Sequence, residues 1–327
     1  MPELTSRERM LRAIDLQSVD HVPCCLMSFS ALRKRYEGDR YKVVEAQRSM
    51  GLDAMLFIPT APRSVRPEHP DLRGLPVRFP DDVEVETWRE TRDRGRPLLH
   101  KRYHTPKGTL STMVALSDDW PHGNHIPFID DYQIPRAVKP LITKPEDLEV
   151  LAHLLQPPSD AEIAAFRDEA ERARAFADAH GVLLAGGWGV GLDMANWLCG
   201  MQDLMVLTIQ QPDYVDDLLG LIHRWTMARM AVVLSAPVDL FLRRAWYEGC
   251  DFVTPGFYRR SVLPRLKTEV ELAHAHDARF GYICTSGMAP MLDSYLEAGF
   301  DVLVGVDPEQ GTHTDMARIA EALAGEI

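Results

Sequence analysis

The stretch Arg279-Phe280-Gly281-Tyr282-Ile283-Cys284-Thr285-Ser286-Gly287 decides the fold class. A short, mostly apolar run delivers a tyrosine, a thiol and two hydroxyls to a glycine. A second run, Asp301-Val302-Leu303-Val304-Gly305-Val306-Asp307-Pro308, follows and stops on an acid. Apolar runs that each end on polar groups predict neighbouring strands of a parallel barrel. In such barrels chemistry collects where the strands end.

The same rhythm extends backwards from this stretch. Ser261 to His276 reads as a helix, Val238 to Ala245 as a strand and Pro212 to Ala236 as a long helix. Asp193 to Gln210 reads as a helix, and Val182 to Trp188 as a strand. Asp160 to His180 and Pro145 to Leu155 are further helices, and Asp315 to Ala324 is the last one. Strand and helix alternate after residue 180, which predicts a parallel sheet. Near the N-terminus, Thr5-Ser6-Arg7-Glu8 has the capping-box pattern and starts a helix to about Leu16. His21 to Met27 reads as a first strand, Arg33 to Met50 as helix and Ala54 to Ile58 as a buried strand. Residues 61 to about 140 break the rhythm. They are rich in Pro, Asp and Arg and alternate in Val83 to Trp88, near Leu98 to Tyr103, and in Thr109 to Leu116 after the turn Thr105-Pro106-Lys107-Gly108. This predicts an antiparallel β excursion within a single domain spanning 1–327. Six barrel strands are expected, near residues 24, 55, 184, 241, 281 and 303. That is fewer than a closed barrel of this type contains.

Composition limits the function classes. With 327 residues, 46% of them apolar, the chain can bury a large core, and barrels of this length are often one domain. A net charge of -12 argues against nucleic acid and anionic membranes as partners. No apolar run reaches the roughly eighteen residues of a membrane span. Glu3, Arg7, Glu8 and Arg9 are not the start of a signal peptide. The five cysteines, Cys24, Cys25, Cys199, Cys250 and Cys284, include no CxxC pair and read as reduced thiols of a cytoplasmic protein.

Several short motifs together resemble the uroporphyrinogen decarboxylase superfamily, a set of (β/α)8 barrels. They are Arg7-Glu8-Arg9 through Asp20-His21-Val22-Pro23, Thr105-Pro106-x-Gly108, Lys144-Pro145-Glu146-Asp147-Leu148 and Ser261-Val262-Leu263-Pro264-Arg265-Leu266-Lys267. The resemblance implies a (β/α)8 TIM-barrel type chain that lacks the last two strand-helix units and leaves edges for association as a homo-oligomer. The superfamily holds two chemistries. Its haem-pathway decarboxylases carry an M-R-Q-A-G-R loop whose arginines bind propionate carboxylates. The aligned stretch here is Met27-Ser28-Phe29-Ser30-Ala31-Leu32, without either arginine. A polycarboxylate needs cationic partners, which argues against decarboxylation. The second branch is the cobamide-dependent methyltransferases, many of which hold zinc on an H-x-C pair. Tyr282-Ile283-Cys284 stands at that place and keeps one thiol. Trp246-Tyr247-Glu248 and Thr285-Ser286-Gly287 resemble the methyltransferase components that begin O-demethylation of methoxylated aromatics. The resemblance therefore implies methyl transfer from a small methylated donor to a corrinoid (cobalamin). No D-x-H-x-x-G motif is present, so a separate corrinoid protein would carry that cofactor. The alternatives are a decarboxylase and a non-catalytic ligand- or partner-binding relative.

Candidate site residues follow from these strand ends, and each has a structural alternative. Glu248 is a candidate general acid or metal ligand, or else the ion-pair partner of Arg243 or Arg244. Cys284 is a candidate zinc ligand, or else a small buried thiol. Tyr282 shares its face by strand alternation, so the two stand or fall together. His122 and His125, in the loop Trp120-Pro121-His122-Gly123-Asn124-His125, could supply a metal ligand (His122) and a proton donor (His125), or could simply pack. Zinc is thus expected, if at all, on Cys284, Glu248 and His122. Gly186-Gly187-Trp188-Gly189-Val190-Gly191 lacks the dinucleotide fingerprint and reads as a tight strand-to-helix turn, with Trp188, Asp193 and Asn196 lining a pocket. Asp193 has a cap as its alternative role. Arg243, Trp246, Tyr247, Ser286 and Asp307 complete the expected binding residues. Met201, Met205, Met227 and Met230 recur at helical spacing and belong to the core.

Overall fold

A computed structural model of the chain describes residues 3–27, 30–59 and 79–327. The Thr5 capping box forms as expected and starts α1 (Ser6–Ile14). The helix expected from Arg33 to Met50 is two helices, α2 (Ser30–Arg35) and α3 (Arg40–Ser49). Glu37 and Gly38 have φ of 51° and 83°, which no helix continues through, and Asp39 caps the second piece. β1 (Met55–Ile58) is followed by the antiparallel sheet β2 (Glu84–Glu90), β3 (Leu98–Thr105), β4 (Gly108–Ala115) and β5 (Ala137–Lys139), in that order. The excursion is therefore real; its expected first part, 61–78, and Ser28 lie outside the described residues.

The rest of the chain is α4 (Asp147–Leu154), α5 (Asp160–His180), β6 (Leu183–Val190), α6 (Leu192–Cys199), α7 (Met201–Gln210), α8 (Pro212–Leu234), β7 (Leu240–Arg244), the single turn α9 (Pro255–Phe257), α10 (Leu263–His274), β8 (Arg279–Ile283), α11 (Leu292–Ala298), β9 (Val302–Val304) and α12 (Met316–Leu323). Gly200, at φ 78°, divides α6 from α7 where one helix was expected. The long strands pair in parallel in the order β1-β6-β7-β8-β9. This is the α/β arrangement of the TIM-barrel type, and its described part is an open sheet. The strand expected at His21 to Met27 shrinks to one parallel bridge between Cys25 and Asp53. Among the described residues no helix is long and apolar enough to cross a membrane.

The sheet's two faces have different fates. Leu184, Phe241, Phe280, Tyr282 and Cys284 point into the large core shared with the helices. Leu183, Ala185, Leu240, Leu242 and Ile283 form a separate inner cluster, flanked by half-buried Met27, Met55, Phe57, Val302, Val304 and Trp246. Met10 of α1 joins that cluster from below. Arg7 and Arg9 of α1 pair with Asp239 and Asp53, and Asp15 at its C-cap pairs with Arg279. These partners all stand at the starts of strands β1, β7 and β8. The inner face is thus plugged at the strands' N-terminal end, while at their C-terminal ends the described Trp246, Tyr247 and Asp131 stay partly exposed, and this end is termed the opening.

Candidate functional site

Strand parity decides which polar groups reach that opening. Arg243, Tyr282 and Cys284 lie on the helix-facing side. Glu248, from the loop after β7, turns back to join them and is fully buried. Arg243 grips both of its oxygens, with Nη2 to Oε1 at 2.8 Å. Tyr282 donates to Oε2 at 2.6 Å, and the Leu192 amide donates to Oε1 at 2.9 Å. Tyr258 donates in turn to the Tyr282 hydroxyl at 3.2 Å. Arg243 Nε meets Glu269 at 2.7 Å, and Glu269 reaches His223 at 3.1 Å. Burial holds the Tyr282 phenol far above its usual range. It also pushes the Cys284 thiol up to about 12, so Cys284 is a thiol rather than a thiolate at neutral pH. The expected acid Glu248 and its neighbour Tyr282 thus form a dry brace between β7, β8 and α10. The ion-pair alternative is the one the fold adopts.

The glycine run of β6 explains how that brace fits. Its strand continues to Val190 instead of turning at Trp188, with a bulge between Gly187 and Gly189. Gly187 has φ 153°, and a Cβ there would lie 2.6 Å from the Leu242 carbonyl. At Gly191 a Cβ would collide with Arg243 Nη2 and come within 2.7 Å of Glu248 Oε1. The glycines admit a guanidinium and a carboxylate beneath the strand end, not a phosphate. Trp188 is the extra residue of the bulge; its side chain lies outside what the structure describes.

Arg244, one residue on, takes the opposite parity and rises from the inner face. Its Nε donates to Asp193 Oδ2 at 2.6 Å, and its Nη2 to Asp131 Oδ1 at 2.7 Å. The Trp246 ring covers its guanidinium at 3.8 Å and Trp197 lies at 5.0 Å. Asp193, in the first turn of α6, also accepts the Trp246 and Tyr247 amides at 3.2 and 2.8 Å. It therefore shapes the loop after β7 rather than capping its own helix. Burial pushes Asp193 up to about 6, against the pull of Arg244. Asp131 belongs to the chain returning from the excursion. Trp197 Nε1 and the Tyr247 hydroxyl also donate to its Oδ1, at 3.0 and 3.1 Å. One oxygen thus gathers three donors from α6, β7 and the loop after it. The Asp131 side chain keeps 28% exposure.

The remaining predicted residues are dispersed. Asn196 is buried and donates back to the Leu192 carbonyl of its own helix at 2.9 Å. Ser286 is buried where two loops interlock: the Cys250 amide donates to the Gly287 carbonyl at 2.9 Å. Asp307 accepts the Glu309 amide at 2.9 Å in a local turn. His122 lies 3.4 Å from Asp130 and edge-on to Trp120 and Tyr132. Burial, helped by Lys101 and His122, pulls His125 down to about 4, so its imidazole is neutral at pH 7. The expected zinc set fails the test of fit. Cys284 holds its proton between the Ser286 carbonyl and Tyr295, Glu248 is enclosed by four donors, and no three metal-binding side chains converge among the described residues.

The residues brought together at the opening are Arg244, Asp193, Trp246 and Tyr247, with Trp197 and Asp131 added. Asp131 escaped the sequence reading because it stands outside every strand end. Its one signal is topological: an excursion that leaves after β1 starts at the C-terminal edge of the sheet and must return over it. The opening thus offers an apolar floor, aromatic walls and one rigid carboxylate.

No curated protein matches the chain by sequence. Among solved structures, a methyltransferase from Methanosarcina mazei shares the fold, with TM-score 0.54 and 14% identity over 98% of this chain and 81% of that one. A family profile described as Uroporphyrinogen decarboxylase (URO-D) matches residues 121–327, a span that includes β6 to β9, the Arg243 brace and the Arg244 rim. With well over half of its length matched, and with the parallel sheet that family would require, the chain belongs to the uroporphyrinogen decarboxylase family.

Proposed function

We propose that the protein is a methyltransferase that takes the methyl group of a small methylated donor, a methoxylated aromatic, and passes it to a corrinoid on a separate protein. The observation that carries this reading is the charge state of the opening. Among the described residues Arg244 is the guanidinium that β7 sends to the inner face, and two carboxylates already neutralise it. A polycarboxylate such as a porphyrinogen needs free cations, whereas a neutral aromatic ether needs an apolar floor and aromatic walls. The fold likeness to a methyltransferase supports the same choice. The family description favours decarboxylation, and it is kept as the rival.

In this reading the donor's ring lies over the half-buried inner cluster. Trp246 and Trp197 exclude water from the reacting methyl. The cobalt(I) of the partner-borne corrinoid supplies the nucleophile. As the methyl–oxygen bond breaks, its electron pair stays on oxygen, which needs a proton or a hydrogen-bond donor. Burial keeps the Tyr247 phenol protonated well above neutral pH, and its one proton, given to Asp131 in the ligand-free site, would turn from Asp131 to the leaving oxygen, with Trp197 and Arg244 still holding the carboxylate. Tyr247→Phe should lower turnover by about tenfold or more, with the fold retained. The deciding experiment is methyl transfer to free cob(I)alamin across a panel of methoxyarenes. Methylated cobalamin is the expected product. Robust coproporphyrinogen formation by the purified protein would replace this reading with its rival. Association into a homo-oligomer is part of the proposal, because β1 and β9 end the described sheet without a further strand. Light scattering at the mass of one chain would remove that part.

A further inference from the structure

Asp131 has more capacity than the structure uses. All three of its donors, Trp197, Arg244 and Tyr247, go to Oδ1. No described donor reaches Oδ2, and the side chain stays partly exposed beside the opening. A carboxylate oxygen accepts about two hydrogen bonds, so Oδ2 is an unused acceptor on a group fixed from three sides. Fixing a side chain before a ligand arrives removes the entropy of ordering it, which is how a binding group gains affinity. The charges facing it make the sign clear. Arg244 carries one positive charge against the negative charges of Asp131 and Asp193, with Asp130 next in the chain and His122 beside Asp130. Among these described groups the negative charges outnumber the positive one, and Asp131 is the carboxylate that reaches solvent.

We infer that Asp131 is a substrate-recognition residue, whose Oδ2 accepts a hydrogen bond from an O–H or N–H group on the ligand and turns anionic ligands away. Together with the apolar floor, this selects aromatic ethers that carry a free hydroxyl near the methoxy group, over their fully methylated or carboxylated analogues. The inference rests on the proposed methyl transfer for its choice of ligand, but its test needs no turnover. Asp131 touches the ligand's second substituent and not the methyl carbon, so it should govern affinity more than the chemical step.

The probes are 2-methoxyphenol, 1,2-dimethoxybenzene and 2-methoxybenzoate, titrated by calorimetry or ligand-observed NMR into the full-length protein. A hydrogen bond to a charged acceptor should favour 2-methoxyphenol by about tenfold over 1,2-dimethoxybenzene, with 2-methoxybenzoate weakest. Asp131→Asn keeps an oxygen for Trp197, Arg244 and Tyr247 but presents an amide in place of Oδ2. It should shrink the phenol's advantage to about threefold or less and strengthen benzoate binding. The wild-type comparison stands even if that variant does not fold. Equal affinities for the phenol and the dimethyl ether, no binding of the phenol, or an unchanged preference in folded Asp131→Asn would each overturn the assignment. Selective phenol binding without methyl transfer to cob(I)alamin would keep Asp131's role and discard the proposed activity instead.

Discussion

Glu248 is open to two roles in the sequence, strand-end acid or partner of Arg243 or Arg244, and the fold builds the pair with Arg243. Its position just after β7 marks it as a strand-end acid. In the fold, both oxygens accept from buried donors, and its partner Arg243 sits between two carboxylates, Glu248 and Glu269. Glu248→Gln leaves Arg243 paired with Glu269 but puts an amide NH2 where a carboxylate oxygen accepted from Arg243 and either Tyr282 or Leu192, and the lost charge-assisted hydrogen bonds cost roughly 1.5–3 kcal/mol. Glu248→Gln should therefore shift the urea midpoint markedly, and any activity loss should follow loss of fold. A variant with wild-type stability but abolished turnover would return Glu248 to the chemistry. Gly191 supports the same brace from the other side. Gly191→Ala puts a methyl against Arg243 and Glu248, an overpacking cost of about 1–3 kcal/mol. Unaltered thermal melting of that variant would show that the brace can move aside. The sequence tied Tyr282 to Cys284 by alternation but could not say which face they take. In a parallel sheet both faces are apolar, so neither Phe280 nor Ile283 breaks the tie. Arg243-Arg244 is similarly ambiguous, because two consecutive arginines offer one to each face.

At the scale of elements, the readable signals were caps, turns and strand–helix alternation. The Thr5 capping box, the turn at Thr105 to Gly108 and the five parallel strands all follow from local chemistry. What failed locally was continuity. Glycines divide α2 from α3 and α6 from α7 within single periodic patterns. The turn into α6 comes at Gly191 rather than at Trp188, and Gly186 to Val190 is still strand because its neighbours need backbone without side chains. The Asp131–Arg244–Asp193 rim joins the excursion, β7 and α6, and its elements are far apart in sequence. Its pH behaviour follows from Asp193. Burial raises this carboxyl to about 6, so the folded form takes up a proton before the unfolded chain does. Its contribution to stability is therefore present at low pH and lost as the pH rises through about 6. Ligand binding should run the other way. Protonation below about 6 weakens the hold on Arg244 Nε and on the Trp246 and Tyr247 amides. Affinity for 2-methoxyphenol should then fall below that pH while thermal stability does not fall with it. In Asp193→Asn the acid limb should vanish. A limb that persists in this variant would assign the titration elsewhere.

For the whole molecule, the decisive feature is that the inner face has one closed end. α1 lies across the starts of the strands, held by Arg7 to Asp239, Arg9 to Asp53 and Asp15 to Arg279. The Ala54 amide donates to Ser6 Oγ at 3.0 Å, and the Arg7 amide to the Gly181 carbonyl at 2.8 Å. Met10 is part of the inner cluster that includes Leu183 and Leu240, the first residues of β6 and β7. A ligand of the apolar floor must therefore enter from the opposite end, where Trp246, Arg244 and Asp131 stand. This separates stability from recognition along the strand axis, as in barrels generally. Met10→Ala removes a buried side chain at 7% exposure and should cost about 2–5 kcal/mol, depending on how far α1 can settle. The folded fraction should still bind 2-methoxyphenol with wild-type affinity, because the floor near the rim, at Phe57, Ile283 and Val304, is untouched. Denaturant unfolding measures the first effect, and calorimetry well below the melting temperature measures the second. If Met10→Ala lowers affinity as strongly as Asp131→Asn while the protein stays folded, the inner face is a through-channel. In that case α1 belongs to the binding site and is not its plug.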